Sequence, residues 1–228
     1  MPPTVLLFDL DGTLVTTGGA GKQAIDAALA AHGAAGGTDF SFAGMTDRAI
    51  IRLGLTAAGL EPTTERLDQV IQTYLATLRQ TVAAMADERY RVHAGVVAAL
   101  DRAEQTPGMA IGLGTGNVEQ GARIKLARVD LARRFAFGGF GSDAEDRAEL
   151  IGVGAQRGAA RLGQPLRQCR VVVIGDTPKD IAAARANGAE SIAVATGPVS
   201  AETLAEHGPT HVFSTLAAPG AVAALLGR

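Results

Sequence analysis

The chain is poor in several features that would decide its class early. It has one cysteine in 228 residues, so no internal disulfide can form. Cys169, beside an apolar strand, is expected to be an inert buried thiol. Charge of a single sign is also lacking: 21 Lys+Arg stand against 23 Asp+Glu, a formal net charge of −2. With acids and bases interspersed, there is no basic face for nucleic acid or anionic lipid. No apolar run reaches the roughly 18 residues of a membrane-spanning helix. The first residues carry no basic stretch or cleavage pattern of a signal peptide, and their short apolar run ends in two aspartates. Hydrophobic residues make up 47% and charged residues 19%, enough for a packed interior and contrary to disorder. The expectation is a soluble cytoplasmic protein, monomer or homodimer, with no nucleic-acid or membrane partner.

Short runs rich in Val, Ile and Leu read as strands buried on both faces of a parallel sheet: Thr4–Phe8, Ala110–Leu113, Arg170–Ile174, Ser191–Ala195 and His211–Phe213. Helical patterns separate them at Val96–Gln105, Glu119–Val129, Arg147–Leu162, Asp180–Ala186 and Ala201–His207. Alternation of this kind implies right-handed crossovers and a doubly wound, Rossmann-like α/β sheet. Between Thr16 and Arg91 the rhythm breaks. That stretch shows helices at Ala20–His32, Thr46–Ala58 and a long or broken third at Thr63–Ala86, with no convincing strand. The expected organisation is an α/β core of residues 1–15 and 92–228 with an all-helical domain, 16–91, inserted after the first strand. Hinges are expected near Val15–Gly19 and Tyr90–Ala94.

Open parallel sheets bind ligands at the carboxyl ends of their strands. Asp9 and Asp11 follow the first strand, Thr115-Gly116-Asn117 the second, and Gly175-Asp176-Thr177-Pro178-Lys179-Asp180 the third. In an extended chain the side chains of Asp9 and Asp11 point the same way, and Gly12 permits a sharp turn after them. Two carboxylates beside Asp176 make a site too negative to persist without a cation. All-oxygen ligands favour a hard ion, and a site that also accepts phosphate suits Mg²⁺. A lone Asp-x-Asp-Gly could simply cap a turn; the other two segments at strand ends argue for a site.

These three segments, in this order and spacing along nearly the whole chain, resemble the signatures of the haloacid dehalogenase superfamily of phosphohydrolases. The helical insertion after the first segment is similar to the cap of its phosphoglycolate-phosphatase-like branch. The resemblance implies that Asp9 is the nucleophile and forms an aspartyl-phosphate, and that Asp11 is the general acid and base. It implies Mg²⁺ held by the Asp9 carboxylate, the Asp11 backbone carbonyl and Asp176, with Asp180 and Thr13 supporting from behind. It assigns phosphate binding to Thr115, Gly116 and Asn117, with backbone N–H groups of Leu10 and Gly116 in the same cradle. A raised pKa at Asp11 is expected from the surrounding like charges. The implied substrate is a small phosphorylated metabolite.

One position departs from the family pattern. A lysine normally steadies the nucleophile, but the chain has only Lys22, Lys125 and Lys179. Lys125 lies about eight residues into a helix, roughly 12 Å from the strand edge at about 1.5 Å per residue. Arg147, opening the helix after the 138–146 loop, stands nearer the lysine's place and can offer a bidentate fork to phosphate oxygens. In the insertion, Gly44-Met45-Thr46-Asp47-Arg48 is either a substrate-selecting segment or a plain helix cap with Thr46 or Asp47 as N-cap. Arg48 or Lys22 could then meet a second anionic group of the substrate. Gly18-Gly19-Ala20-Gly21-Lys22 and Gly112-Leu113-Gly114-Thr115-Gly116-Asn117 resemble nucleotide-binding loops but miss required residues. The reading is a Mg²⁺-dependent phosphomonoester hydrolase. A sugar phosphomutase of the same fold is the alternative, ahead of a haloacid dehalogenase, a phosphonate hydrolase or a catalytically silent binding protein.

Overall fold

In the computed structural model, which describes residues 2–228, a six-stranded parallel sheet forms the centre. Its strands are β1 (Thr4–Phe8), β4 (Met109–Thr115), β5 (Gly138–Phe140), β6 (Arg170–Gly175), β7 (Glu190–Val194) and β8 (His211–Phe213), ordered β5-β4-β1-β6-β7-β8. All five pairings are parallel. β1 is buried at every residue because both faces of the sheet are covered. Val5 and Leu7 face α6 (Arg147–Arg161) and α7 (Pro178–Ala186), whereas Leu6 and Phe8 face α4 (Val96–Glu104), α5 (Glu119–Ala127) and α9 (Ala221–Leu226). That alternation is the two-residue period of a strand. A final helix, α8 (Ala201–Glu206), packs beside β7 and β8.

The strand order reverses after β5, where the chain crosses back to form β6 on the other side of β1. β1 is therefore flanked by β4 and β6, with Phe8 level with Leu113 and Ile174. The carboxyl ends of these three strands open into one crevice, the usual ligand position in such a sheet.

The stretch between β1 and α4 leaves and re-enters the core through a two-stranded antiparallel ribbon of β2 (Val15–Thr16) and β3 (Arg91–Val92). Beyond it, α1 (Ala20–Ala31), α2 (Asp47–Ala57) and α3 (Thr64–Ala84) pack around their own apolar cluster, which includes Ile25, Leu29, Ile51, Leu55, Tyr74 and Leu78. α3 is a single unbroken helix of 21 residues, although its pattern allowed a break. Thr46 and Thr63 cap α2 and α3, each hydroxyl accepting from a backbone N–H three residues on.

Sequence patterning did not reveal β2, β3, β5 or α9. β5 reads Gly-Gly-Phe, with no β-branched residue. Its glycines answer to packing: a Cβ on Gly139 would overlap the backbone carbonyl of Leu150 in α6, and one on Gly138 would press on the Leu113 carbonyl. The strand is a strand because α6 lies directly against it. Cys169 also departs from expectation. It is half-buried, at the end of a short turn before β6, with its thiol 3.7 Å from the Pro165 carbonyl. The amino-terminal edge of the sheet does not cover it fully. Among the described residues no helix is long and apolar enough to cross a membrane.

Gly139→Ala should cost about 1–3 kcal/mol by forcing β5 and α6 apart, read as a lower denaturation midpoint with unchanged slope. Stability equal to the parent would show that this backbone contact does not set the strand.

Candidate active site

Asp9 is the first residue beyond β1, and its backbone N–H donates to the Ile174 carbonyl of β6 at 2.8 Å. This bond continues the sheet ladder by one step and fixes Asp9 beside Asp176, the first residue beyond β6. Asp9, Asp176 and Asp180 are all buried and can bring one carboxylate oxygen each within 4.8 Å of one another. Asp180 belongs to α7, whose capping box it forms: its Oδ2 accepts from Thr177 N at 3.0 Å and Thr177 Oγ1 at 2.7 Å. Its Oδ1 accepts from Arg147 Nε at 2.8 Å. Both oxygens are thereby engaged. Asp176 Oδ1 accepts from Thr13 Oγ1 at 3.0 Å.

Arg147, the first residue of α6, enters this carboxylate cluster. Its Nη2 lies 3.0 Å from Asp9 Oδ1 and 2.6 Å from Asp180 Oδ1. These are close ion-pair contacts whose angles fall short of aligned hydrogen bonds. Burial works against the guanidinium charge, but Asp180 and Asp9 outweigh it and hold the group protonated. One arginine does not balance three carboxylates. Burial, opposed by Arg147 and reinforced by Asp180, pushes Asp9 up to about 6. Burial, with Asp9 and Asp180 adding, pushes Asp176 up to about 8. The floor beside them is bare: a Cβ on Gly12 or Gly197 would fall on Asp176 Oδ2. A buried oxygen-only cluster with surplus negative charge fits a hard divalent cation.

Asp11 sits apart from that cluster and half exposed, so the crowd of like charges expected around it is replaced by a lysine. Its Oδ2 accepts from Asn117 Nδ2 at 2.9 Å and Lys125 Nζ at 2.6 Å, while Oδ1 has only the Thr17 hydroxyl at 3.3 Å. Two residues after Asp9 its side chain serves a different wall, because the chain turns after Leu10 rather than running on as strand. Lys125 is thus in the site despite its position in α5. Distance along a helix axis locates Cα atoms, and long side chains lean back towards the helix N-terminus, carrying Nζ over the preceding turn.

Thr115 is fully buried at the end of β4, its hydroxyl accepting from Asn117 N at 3.3 Å and Asn117 Nδ2 at 2.9 Å. Its own proton remains available, although Thr115 stands behind the cavity wall that Gly116 and Asn117 form. Gly116 has no room for a side chain, since a Cβ there would meet the Met45 carbonyl of the insertion.

A cavity of about 480 Å³ opens above Asp9, between the core and the helical insertion. Its far wall is Ile25, Phe42, Met45, Ile50 and Tyr74, with Asp47 and Lys22. Of the segment singled out around Thr46, only Met45 and Asp47 line this cavity together with Gly44. Thr46 is the N-cap of α2 and donates to the Glu145 carbonyl at 3.3 Å. Arg48 turns away to Asp68 at 2.9 Å and towards Glu145 at 3.8 Å, so neither Thr46 nor Arg48 lines the cavity. Asp47 binds the core as well: its N–H donates to the Gly116 carbonyl at 2.8 Å and its Oδ2 accepts from Val118 N at 2.9 Å. Lys22 pairs with Asp26 at 2.9 Å and lies over the Phe42 ring.

Missing from the sequence reading were Thr17, Tyr74, Thr196 and Gly197. The last two follow β7, and Thr196 Oγ1 donates to the Gly12 carbonyl. Their only signal was position after a buried strand.

The carboxyl ends of the strands in this open α/β sheet thus gather buried aspartates, joined by Arg147 from the start of α6. The sequence profile of haloacid dehalogenase-like hydrolases matches residues 3–188. The chain belongs to that family. No curated protein matches it. Among solved structures it is similar to a hydrolase from Pseudomonas syringae, at 20% identity and TM-score 0.69, with 94% of each chain covered. A predicted phosphatase from Clostridium acetobutylicum is 18% identical with TM-score 0.69, covering 100% of both chains. CbbY from Rhodobacter sphaeroides, in complex with phosphate, is 16% identical with TM-score 0.66, covering 96% of this chain and 97% of that one.

The raised carboxylates give a test of the cation site. Without metal, folded Asp9 and Asp176 hold protons that the unfolded chain releases, so stability falls as pH rises from about 4 to about 8. A divalent cation needs them ionised and should therefore raise the melting temperature more near pH 8 than near pH 5. The measurement is thermal melting with EDTA or excess Mg²⁺ at both pH values. An equal shift at the two, or none, would count against a cation at these carboxylates.

Proposed function

We propose that the protein is a Mg²⁺-dependent phosphatase that hydrolyses a small phosphomonoester through an aspartyl-phosphate on Asp9. The observation that carries this is Asp9 itself: a buried carboxylate held by Arg147 at 3.0 Å, beside surplus carboxylates and at the base of a cavity. Carboxylates of Asp9 and Asp176 and the backbone carbonyl of Asp11 would hold Mg²⁺. The ion, when bound, offsets the repulsion between an anionic nucleophile and an anionic phosphate.

In the first step an Asp9 oxygen forms a bond to phosphorus and the bond to the leaving oxygen breaks. Asp11 gives its proton to that oxygen, from Oδ1, the atom with the weaker partner. In the second step water attacks phosphorus, Asp11 takes the water's proton, and the Asp9–phosphorus bond breaks to release inorganic phosphate. Arg147, which lines the cavity beside Asp9, offers its guanidinium N–H groups to phosphate oxygens. Gly116, which lines the cavity, supplies a further backbone N–H donor, while Thr115 behind that wall holds Asn117 in place. Support for phosphate here also comes from similar structures, one bearing the name phosphatase and another holding phosphate. The cavity of about 480 Å³ suits a small metabolite, within the usual size range for such sites. The helical insertion, seated on the core through Asp47 and through Arg52 to Glu145 at 2.6 Å, acts as a cap that keeps water out.

Asp9→Asn should abolish Mg²⁺-dependent phosphate release from p-nitrophenyl phosphate, a loss of about a thousandfold or more; retained turnover in a pure preparation would remove the nucleophile. Arg147→Lys keeps the charge but not the fork and should lower kcat/KM about ten- to a hundredfold with the fold intact by circular dichroism. Both aspartates would also serve a sugar phosphomutase. A hexose 1-phosphate should therefore give free phosphate, and accumulation of the 6-phosphate instead would favour the mutase.

A further inference from the structure

Lys125 is almost wholly buried, yet it is neither the nucleophile's partner nor an ordinary surface lysine. Its Nζ lies 2.6 Å from Asp11 Oδ2 and 2.6 Å from Asn117 Oδ1. A bond from Lys125 to Asn117 Oδ1 forces the amide N–H₂ of Asn117 to point the other way, where it meets Asp11 Oδ2 and Thr115 Oγ1. Lys125 therefore holds Asp11 twice, directly and through Asn117, and both donors converge on Oδ2. Oδ1 is left with one long contact to Thr17. Backbone details make room for this: Gly21, inside α1 where glycine costs helix stability, is the point at which an added Cβ would stand 3.1 Å from Nζ.

We propose that Lys125 is a positioning residue for Asp11, locking its Oδ2 so that Oδ1 faces the leaving oxygen of the substrate. Resting on the reading of Asp11 as acid and base, this also gives the helical insertion a hand in the proton transfer. The insertion contributes Gly21, and Asp47 from α2 adds to the field that keeps the buried ammonium charged. The insertion must be seated for Lys125 to be enclosed. A lysine that merely filled space would affect all substrates alike. One that aims the acid affects those whose leaving group needs a proton.

The experiment compares kcat/KM for p-nitrophenyl phosphate, whose leaving phenolate departs unprotonated, with that for glycerol 2-phosphate, whose alkoxide must be protonated. Parent, Asp11→Asn, Lys125→Met and Gly21→Ala proteins are assayed with saturating Mg²⁺. Lys125→Met should reduce the glycerol 2-phosphate value at least about tenfold more than the p-nitrophenyl phosphate value, within the range of general-acid effects. Lys125→Arg should restore part of the difference. Gly21→Ala crowds Nζ without removing the charge and should show the same selectivity in smaller measure, so the proposal stays testable if Lys125→Met does not fold. If Asp11→Asn is selective while the lysine and glycine variants lose activity equally on both substrates, the positioning role is overturned and the acid stands. If Asp11→Asn itself is unselective, the acid assignment falls, and the proposal with it.

Discussion

Surplus negative charge, buried where three parallel strands end, is the constraint on which the site depends. Asp9 and Asp176 are adjacent because β1 and β6 are hydrogen-bonded neighbours in register, and Asp180 joins them because it caps α7. Buried like charges at this spacing repel strongly in a poorly solvated setting. Arg147 answers part of the imbalance; burial first, and the neighbouring carboxylates after it, push the Asp9 and Asp176 carboxyls up to about 6 and about 8. The glycines around the cluster fit the same picture. Gly12 and Gly197 carry no side chain where one would land on Asp176, so the space beside the carboxylates stays open.

A second electrostatic group stands a few residues away and is organised differently. Around Asp11 the charges are balanced: Lys125, Asn117 and Thr17 all donate to one carboxylate. Two aspartates separated by a single leucine thus live in opposite surroundings, one short of positive charge and one supplied with it. The roles proposed for them, attack for Asp9 and proton transfer for Asp11, follow from the resemblance of Asp9-Leu10-Asp11-Gly12-Thr13 to the family's signature. Lys125 and Asp47 extend this second group to the seam between core and insertion, so that the seating of α2 and the surroundings of the acid are parts of one arrangement.

Much of this was legible beforehand. Runs such as Thr4–Phe8 and Arg170–Ile174 announce buried parallel strands because they are apolar on both faces, and the residues just after them are the natural place for a site in an open sheet. β5 was not legible, since its two glycines are set by the close approach of α6 rather than by any strand preference. Arg48 and Lys125 exchange the places that linear reasoning gave them. Arg48 was one of two cations that could have met a substrate anion, but its helix turns it to Asp68, while Lys125 looked remote but its side chain leans back over α5 to Asp11.

Sequence by itself determined the fold class and which aspartates stand at strand ends, because hydrophobic periodicity and strand-terminal position are local properties of the chain. Tertiary structure alone decided which cation meets which carboxylate. Arg147 reaches Asp9 and Asp180, and Lys125 reaches Asp11, only because the crossover at β5 brings α6 back over β1 and the insertion closes on α5. Ion pairing depends on the positions of the terminal atoms of long side chains, which only the packed helices fix.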